Sequence, residues 1–168
     1  MKNLVLFHRL ELTEMFSAMS NHLNKSFNVI HLAYSDHEVK LLREYGISGE
    51  IICFKDEISK LLLIDVDLSD DDIKKLDKEI LKVTKENFNL NGAIQSDRGF
   101  SNLSYKESLK LTFAYASFWE GLIINRNVDF VMHEVMSLMM NFICAIKCEK
   151  HNAKYVYRIM EPRLPGDR

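Results

Sequence analysis

The stretch from Val128 to Arg163, VDFVMHEVMSLMMNFICAIKCEKHNAKYVYRIMEPR, constrains this chain more than any other. Val128–Met132 is a short apolar run behind the polar break Asn125-Arg126-Asn127, the form of a strand buried on both faces. From Glu134 the apolar residues change period: Val135, Leu138, Met139, Phe142, Ile143 and Ile146 fall at helical spacing. That helix runs out into charge and polarity at Lys147–Asn152, with cations near its negative end. Tyr155-Val156-Tyr157 then returns to β character. A strand, a helix and a strand within this length make two parallel strands joined by a right-handed crossover. The chain is then α/β, and His133 and Glu134 fall at the carboxyl end of a strand, where a helix begins. In open α/β sheets that edge is where ligands bind.

The front of the chain alternates in the same way. Lys2–His8 (KNLVLFH) reads as a buried strand, and Leu12, Met15, Phe16, Met19 and Leu23 make the stripe of the helix after it. Asn28–Ala33 (NVIHLA) is a second strand. Ser35-Asp36-His37-Glu38 is a capping box, opening a helix with Val39, Leu42 and Tyr45 that stops at Gly46 in a left-handed cap. Glu50–Phe54 (EIICF) is a third strand. Asp56–Val66 fits a short helix through Ile58, Leu61, Leu62 and Ile64, and equally a strand through LLLIDV. Ser69 caps a helix with a narrow stripe at Ile73, Leu76, Ile80 and Val83; its many charges read as a solvated face. Asn89–Leu103 has two glycines and little periodicity, and reads as a long loop, the least ordered internal segment. Ser104-Tyr105-Lys106-Glu107 is another capping box, opening a strongly apolar helix through Leu109, Phe113, Ala116, Trp119, Leu122 and Ile123. Trp119 belongs to the core or an interface. The fold class expected is a three-layer, doubly wound, Rossmann-like α/β domain whose mainly parallel sheet has five strands in the order 3-2-1-4-5.

Composition sets bounds. A chain of 168 residues suits one domain that buries roughly 70% of its unfolded surface. A formal charge of -2 and the absence of any Lys/Arg run give no reason to expect nucleic-acid binding. No apolar stretch reaches the ~20 residues of a membrane span, and the start is too short for a signal peptide. The three cysteines are odd in number; Cys144 and Cys148, four apart on one helix, read as core packing rather than a metal pair. A cytoplasmic location is expected. Both prolines, Pro162 and Pro165, fall in the last seven residues, so the chain reads as the front part of a larger protein or a truncated one. There is no GxGxxG after the first strand, no GxxxxGK[ST], no HExxH and no GxSxG. No cofactor or metal is expected.

If the fourth strand returns beside the first, the switch point lies between them, and their carboxyl ends are His8-Arg9 and His133-Glu134. A histidine beside a carboxylate suits a general base near neutral pH, and an arginine can hold phosphate or carboxylate bidentately. His133, Glu134 and His8 are therefore the catalytic candidates and Arg9 a substrate-binding one. The alternative is that polar residues simply mark where strands meet water.

The Ser96-Asp97-Arg98 loop, the apolar helix ending before Val128-Asp129, the His133-Glu134 helix start and the closing Tyr155-Val156-Tyr157-Arg158 and Arg163-Leu164-Pro165-Gly166 resemble bacterial capsule and surface-polysaccharide biosynthesis proteins. These in turn resemble GT-B glycosyltransferases in their N-terminal half. The likeness covers the whole chain as a pattern of elements, with short motifs only over about residues 95–166. It implies a half that faces the glycan or lipid-linked acceptor, with the nucleotide-sugar donor bound mainly by a C-terminal half. It also implies a cytoplasmic enzyme with peripheral contact at the inner face of the membrane. Asp97 and Arg98 are expected to order over a sugar or a phosphate-linked carrier, and Arg158 and Arg163 to pair with phosphate. The competing expectation is a non-catalytic α/β binding or regulatory module, or an inactive fragment.

Overall fold

The structure is a computed structural model that describes residues 1–64, 68–133 and 138–157. In chain order it contains β1 (Lys2–His8), α1 (Leu12–Leu23), β2 (Phe27–Ala33), α2 (Asp36–Glu44), β3 (Ile51–Cys53), α3 (Phe54–Leu63) and α4 (Asp70–Val83). There follow α5 (Leu90–Ser96), a single 3-10 turn (Arg98–Phe100), α6 (Tyr105–Asn125), β4 (Val128–His133), α7 (Met139–Lys150) and β5 (Lys154–Tyr157). The strands form one sheet in the order β3-β2-β1-β4-β5, and every neighbouring pair is parallel. With helices on both faces, this is the expected three-layer, doubly wound α/β architecture.

Local chemistry sets the element ends. Ser35 with Glu38, Ser69 with Asp72 and Ser104 with Glu107 form reciprocal capping boxes at the starts of α2, α4 and α6. Gly46 follows α2 at φ 83°, the left-handed conformation that a residue without Cβ adopts freely. Asn127 after α6 and Asn152 after α7 make the same turn at φ 46° and 57°, a conformation asparagine tolerates. The β1–β4 register shifts between Asn3 and Leu4. Asp129 is the extra residue there, and its Oδ2 accepts the Asn3 N–H at 2.8 Å.

Alternation along the strands divides the core. Leu4, Leu6, Phe130 and Met132 face α1, where Phe16, Leu12, Met15 and Met19 meet them. Val5, Phe7, Leu32 and Val131 face the other way, into the larger core built with α3 to α7. Trp119 lies fully buried there, its indole N–H donating to the Met140 carbonyl at 3.0 Å, so its polar handle is satisfied. Each such large side chain contributes about 1.5–3 kcal/mol by leaving water.

Two expectations are corrected. Asn89–Leu103 is not a long loop. The Asn89 side chain caps α5 by accepting the Gly92 N–H at 2.7 Å, and Asp97 caps the 3-10 turn through the Gly99 N–H at 2.5 Å. Leu90, Ala93, Ile94 and Phe100 are buried, so the segment is anchored. A stripe of two helical turns is too short to show as periodicity. The third strand is only Ile51–Cys53, because Phe54 already opens α3. Helical character prevails over the strand alternative as far as Leu63, and Val66 lies outside the described residues. The last crossover helix is described from Met139, while Glu134 and Val135 lie outside the described residues. Among the described residues, no helix is long and apolar enough to cross a membrane.

Candidate functional site at the carboxyl edge of the sheet

The parallel topology delivers the carboxyl ends of all five strands to one edge, with the reversal of order between β1 and β4. His8 ends β1 and His133 ends β4, so both stand at that edge. They do not face each other. His8 is in phase with Leu4 and Leu6 and points under α1, where its ring meets Phe16 edge-on at 5.8 Å. His133 comes one residue after Met132, which pairs with Leu6, and so lies level with Phe7 on the opposite face. Its ring packs against Phe7, tilted by 34° with centroids 4.0 Å apart.

Both imidazoles are fully buried. His8 Nε2 lies 3.0 Å from Nδ1 of His31, and His31 Nε2 lies 3.3 Å from Ser20 Oγ, forming a polar seam beneath α1. Burial, reinforced by His31, pushes the His8 pKa down to about 3 against a smaller opposing effect of the Thr13 backbone. Burial, followed by Arg43, lowers that of His31. His133 falls to about 3, chiefly by burial and also by the Arg9 charge, although Asn141 and the Phe7 backbone favour its charged form. All three are neutral imidazoles at neutral pH and weak bases. As placed, neither His8 nor His133 suits proton abstraction from a ligand in the crevice.

The edge itself is made by the residues that follow the strands. The Tyr34 N–H donates to the His8 carbonyl at 2.9 Å, and the Lys55 N–H donates to the Tyr34 carbonyl at 3.1 Å, carrying the sheet register one step beyond β1, β2 and β3. The Arg9 guanidinium lies 5.1 Å and the Lys55 ammonium 4.9 Å from the centroid of the Tyr34 ring. Tyr34 stacks on Phe54 at 6.2 Å, Phe54 on Tyr115 at 5.6 Å, and Tyr115 on Phe100 at 6.5 Å. An aromatic file therefore runs from the two cations to the Arg98–Phe100 turn. Tyr34 and Tyr115 are half-buried, while Phe54 and Phe100 form the floor. Burial, with Tyr34 and Asp97 nearby, raises the Tyr115 hydroxyl well above the phenolic range and keeps it a donor.

Two carboxylates here serve the backbone. Asp97 Oδ2 accepts the Met139 N–H, so the Asp97 side chain caps α7 as well as its own turn. Arg98 is exposed beside it. Glu38 is buried and accepts from Ser35 N and Oγ at 3.0 and 2.5 Å and from Leu10 N at 3.4 Å. Burial alone would raise its pKa; the hydrogen bonds from Ser35 and Leu10 outweigh burial and lower it. Glu38 thereby ties the β1–α1 turn, where Leu10 takes a left-handed φ of 50°, to the start of α2. Glu134, Arg158 and Arg163 lie outside the described residues.

Among the described residues, one group has metal-ligand composition: Asp36, Cys53 and Asp56, with ligand atoms within 4.8 Å of one another. Burial, then the adjacent carboxylates, keep the Cys53 pKa raised and the sulfur a thiol, near Asp36 Oδ1 at 3.9 Å. Both acids sit in the first turns of α2 and α3, where the helix dipole stabilises a carboxylate without any cation. Sequence reasoning missed His31, Tyr34, Lys55 and Tyr115. Tyr34 carried a usable signal, since it follows a strand just as Arg9 does, and so did Lys55 once Phe54 is given to the helix. Tyr115 carried none, as it lies within an apolar helix. Comparisons with protein-family models, with curated proteins and with solved structures find no match to this chain.

Proposed function

We propose that this chain is the acceptor-side half of a GT-B-like glycosyltransferase of surface-polysaccharide assembly, with the acceptor lying along the carboxyl edge of the sheet. The observation that carries the reading is the aromatic file from Tyr34 to Phe100, with Arg9 and Lys55 at one end and Arg98 at the other. Tyr34 and Tyr115 join an apolar ring to a polar hydroxyl, which suits the C–H faces and hydroxyls of a sugar. The β1–α1 turn is Arg9-Leu10-Glu11, with long side chains where a dinucleotide site has glycine, which argues against the donor's phosphates being cradled there. The described residues form one sheet, and a GT-B enzyme needs a second α/β half for its donor.

One observation favours the non-catalytic reading, a sugar-binding α/β module. His8 and His133 are buried and neutral, and Glu38 and Asp97 are engaged with backbone N–H groups. The described residues of the edge therefore bind and orient, and a proton acceptor has to come from elsewhere. Saturation-transfer NMR of the chain with short glycans and with nucleotide sugars tests the binding reading. Glycan signals attenuated by Tyr115→Leu, together with at most weak nucleotide-sugar binding, are the expected result. Tight nucleotide-sugar binding without glycan binding would overturn the acceptor assignment. Sugar transfer on adding a donor-binding α/β partner separates the enzyme from the module.

A further inference from the structure

We propose that the groove between α6 and the C-terminal end of α3 docks a second copy of this chain across a two-fold axis near Ser117. The proposal goes beyond the acceptor reading and does not depend on it. α3 closes on Leu62 and Leu63, with Ile64 as its C-terminal cap, and these are 46%, 84% and 59% exposed. A run of aliphatic side chains in water marks an interaction surface when it adjoins further apolar lining. Here it does. A cleft of about 390 Å³ runs over Phe118, Gly121 and Leu122, and another of about 270 Å³ over Phe113 and Ala114. Leu61, Ile64 and Ser117 line both, so the two clefts are arms of one groove with the exposed Ser117 at its centre.

The arms differ in a way that makes the groove complementary to itself. Phe113 and Gly121 each stand four residues from Ser117 on α6, on the same side of the helix. A half-turn about Ser117, with the two α6 helices antiparallel, sets the half-buried Phe113 of each copy over Gly121 of the other. Gly121 leaves a notch there, since a Cβ at that position would meet nothing nearer than Asn125 Nδ2 at 4.0 Å. The charges agree with the shape. Arg126 lies in one arm, in an exposed pair with Glu50 at 2.7 Å, and Asp72 lies in the other. The same half-turn brings Arg126 of each copy toward Asp72 of the other, a cation facing a carboxylate at both ends. A surface whose knob, notch and opposite charges exchange under one two-fold rotation fits a copy of itself, as an isologous dimer requires.

The test is sedimentation velocity of the 168-residue chain from micromolar to millimolar concentration, with circular dichroism of each variant to show that it is folded. The expected result is a reversible monomer–dimer equilibrium. Ser117→Arg sets two cations against each other on the axis and should raise the dissociation constant about ten-fold or more. Leu63→Asp should weaken the dimer likewise, and it decides the matter should the Ser117 variant fail to fold. Arg126→Asp and Asp72→Arg should each weaken the dimer about five-fold, and the two together should restore it. A chain that stays monomeric at millimolar concentration overturns the proposal, as does a dimer undiminished by both Ser117→Arg and Leu63→Asp. A charge-swapped pair no tighter than either single variant overturns the register about Ser117 and the proposal with it. A monomer that binds phosphatidylcholine vesicles through Leu63 would assign the face to a lipid surface and overturn the dimer.

Discussion

The histidines of the carboxyl edge show how one residue type takes its chemistry from its surroundings. His8 and His133 sit where ligand-binding groups gather, but burial gives each a pKa of about 3 and so a neutral ring. An unfolded histidine titrates near 6.5, so between pH 6.5 and 3 the unfolded chain binds more protons than the folded one. The stability held above pH 6.5 should therefore fall as the pH drops through that window. The slope is on the order of 1.4 kcal/mol per pH unit for each such histidine. Urea denaturation from pH 8 to 4 should show this decline, and His8→Gln should flatten it by about one histidine's share. A slope identical in His8→Gln would mean that His8 is accessible and titrates normally. Asp97 gives a second test at this scale. It caps two segments, so Asp97→Ala should cost about 1–3 kcal/mol by thermal melting, whether or not a ligand is present. Asp97→Asn keeps an acceptor oxygen and should recover most of that loss. A variant with unchanged melting but lost glycan binding would return Asp97 to the ligand-binding role read from the sequence.

Among the elements, α4, α6 and α7 are joined by a closed ionic network. The Lys147 ammonium is nearly buried and contacts Glu79 Oε2 at 2.7 Å and Glu120 Oε2 at 2.9 Å. Lys150 reaches the other oxygen of each at 2.7 Å, and His151 adds a contact to Glu120 at 3.1 Å. Burial works against both carboxylates, yet the lysine bonds outweigh it: Glu120 falls to about 2 and Glu79 is also lowered. Lys147→Ala should cost about 3 kcal/mol by denaturant midpoint, at the low end for a broken buried pair because water still reaches Glu120. Replacing Lys147, Glu79 and Glu120 together by apolar residues of similar volume should cost far less. A single variant no worse than the triple one would show that the network adds nothing. Acid should loosen it also, as stability from these depressed carboxylates is present above about pH 4.5 and is lost as the pH falls toward 2.

For the molecule as a whole, core and edge are one structure. Phe7 is fully buried and touches Tyr34, Phe54, Trp119 and His133, so the aromatic file of the crevice rests on the centre of the sheet. Phe7→Ala should cost about 3–5 kcal/mol and, on the proposed acceptor reading, weaken glycan binding together with stability. Phe7→Leu should keep most of the stability, yet still weaken binding, because the ring under Tyr34 and Phe54 is gone. Glycan titrations on the folded Leu variant check this; unchanged affinity would mean that the file stands without Phe7.

Strand order and parallel sense were legible in the sequence, since alternating apolar periods and crossover handedness leave few topologies for such a chain. The capping boxes and the Gly46 stop were legible too, because they depend on residues three or four apart. So was the placement of His8 and His133 at one edge, which follows from topology alone. That they sit on opposite faces was not legible. It depends on the register between β1 and β4, which is displaced by one residue at Asp129. The same holds for α5, whose buried stripe of Leu90, Ala93 and Ile94 means little until α4 and α6 are beside it. Only the tertiary structure joined Tyr34, Phe54, Tyr115 and Phe100 into one file and set Arg9 and Lys55 around one ring. Elements are decided by neighbours a few residues away, while a site is decided by registers and packing between segments dozens of residues apart.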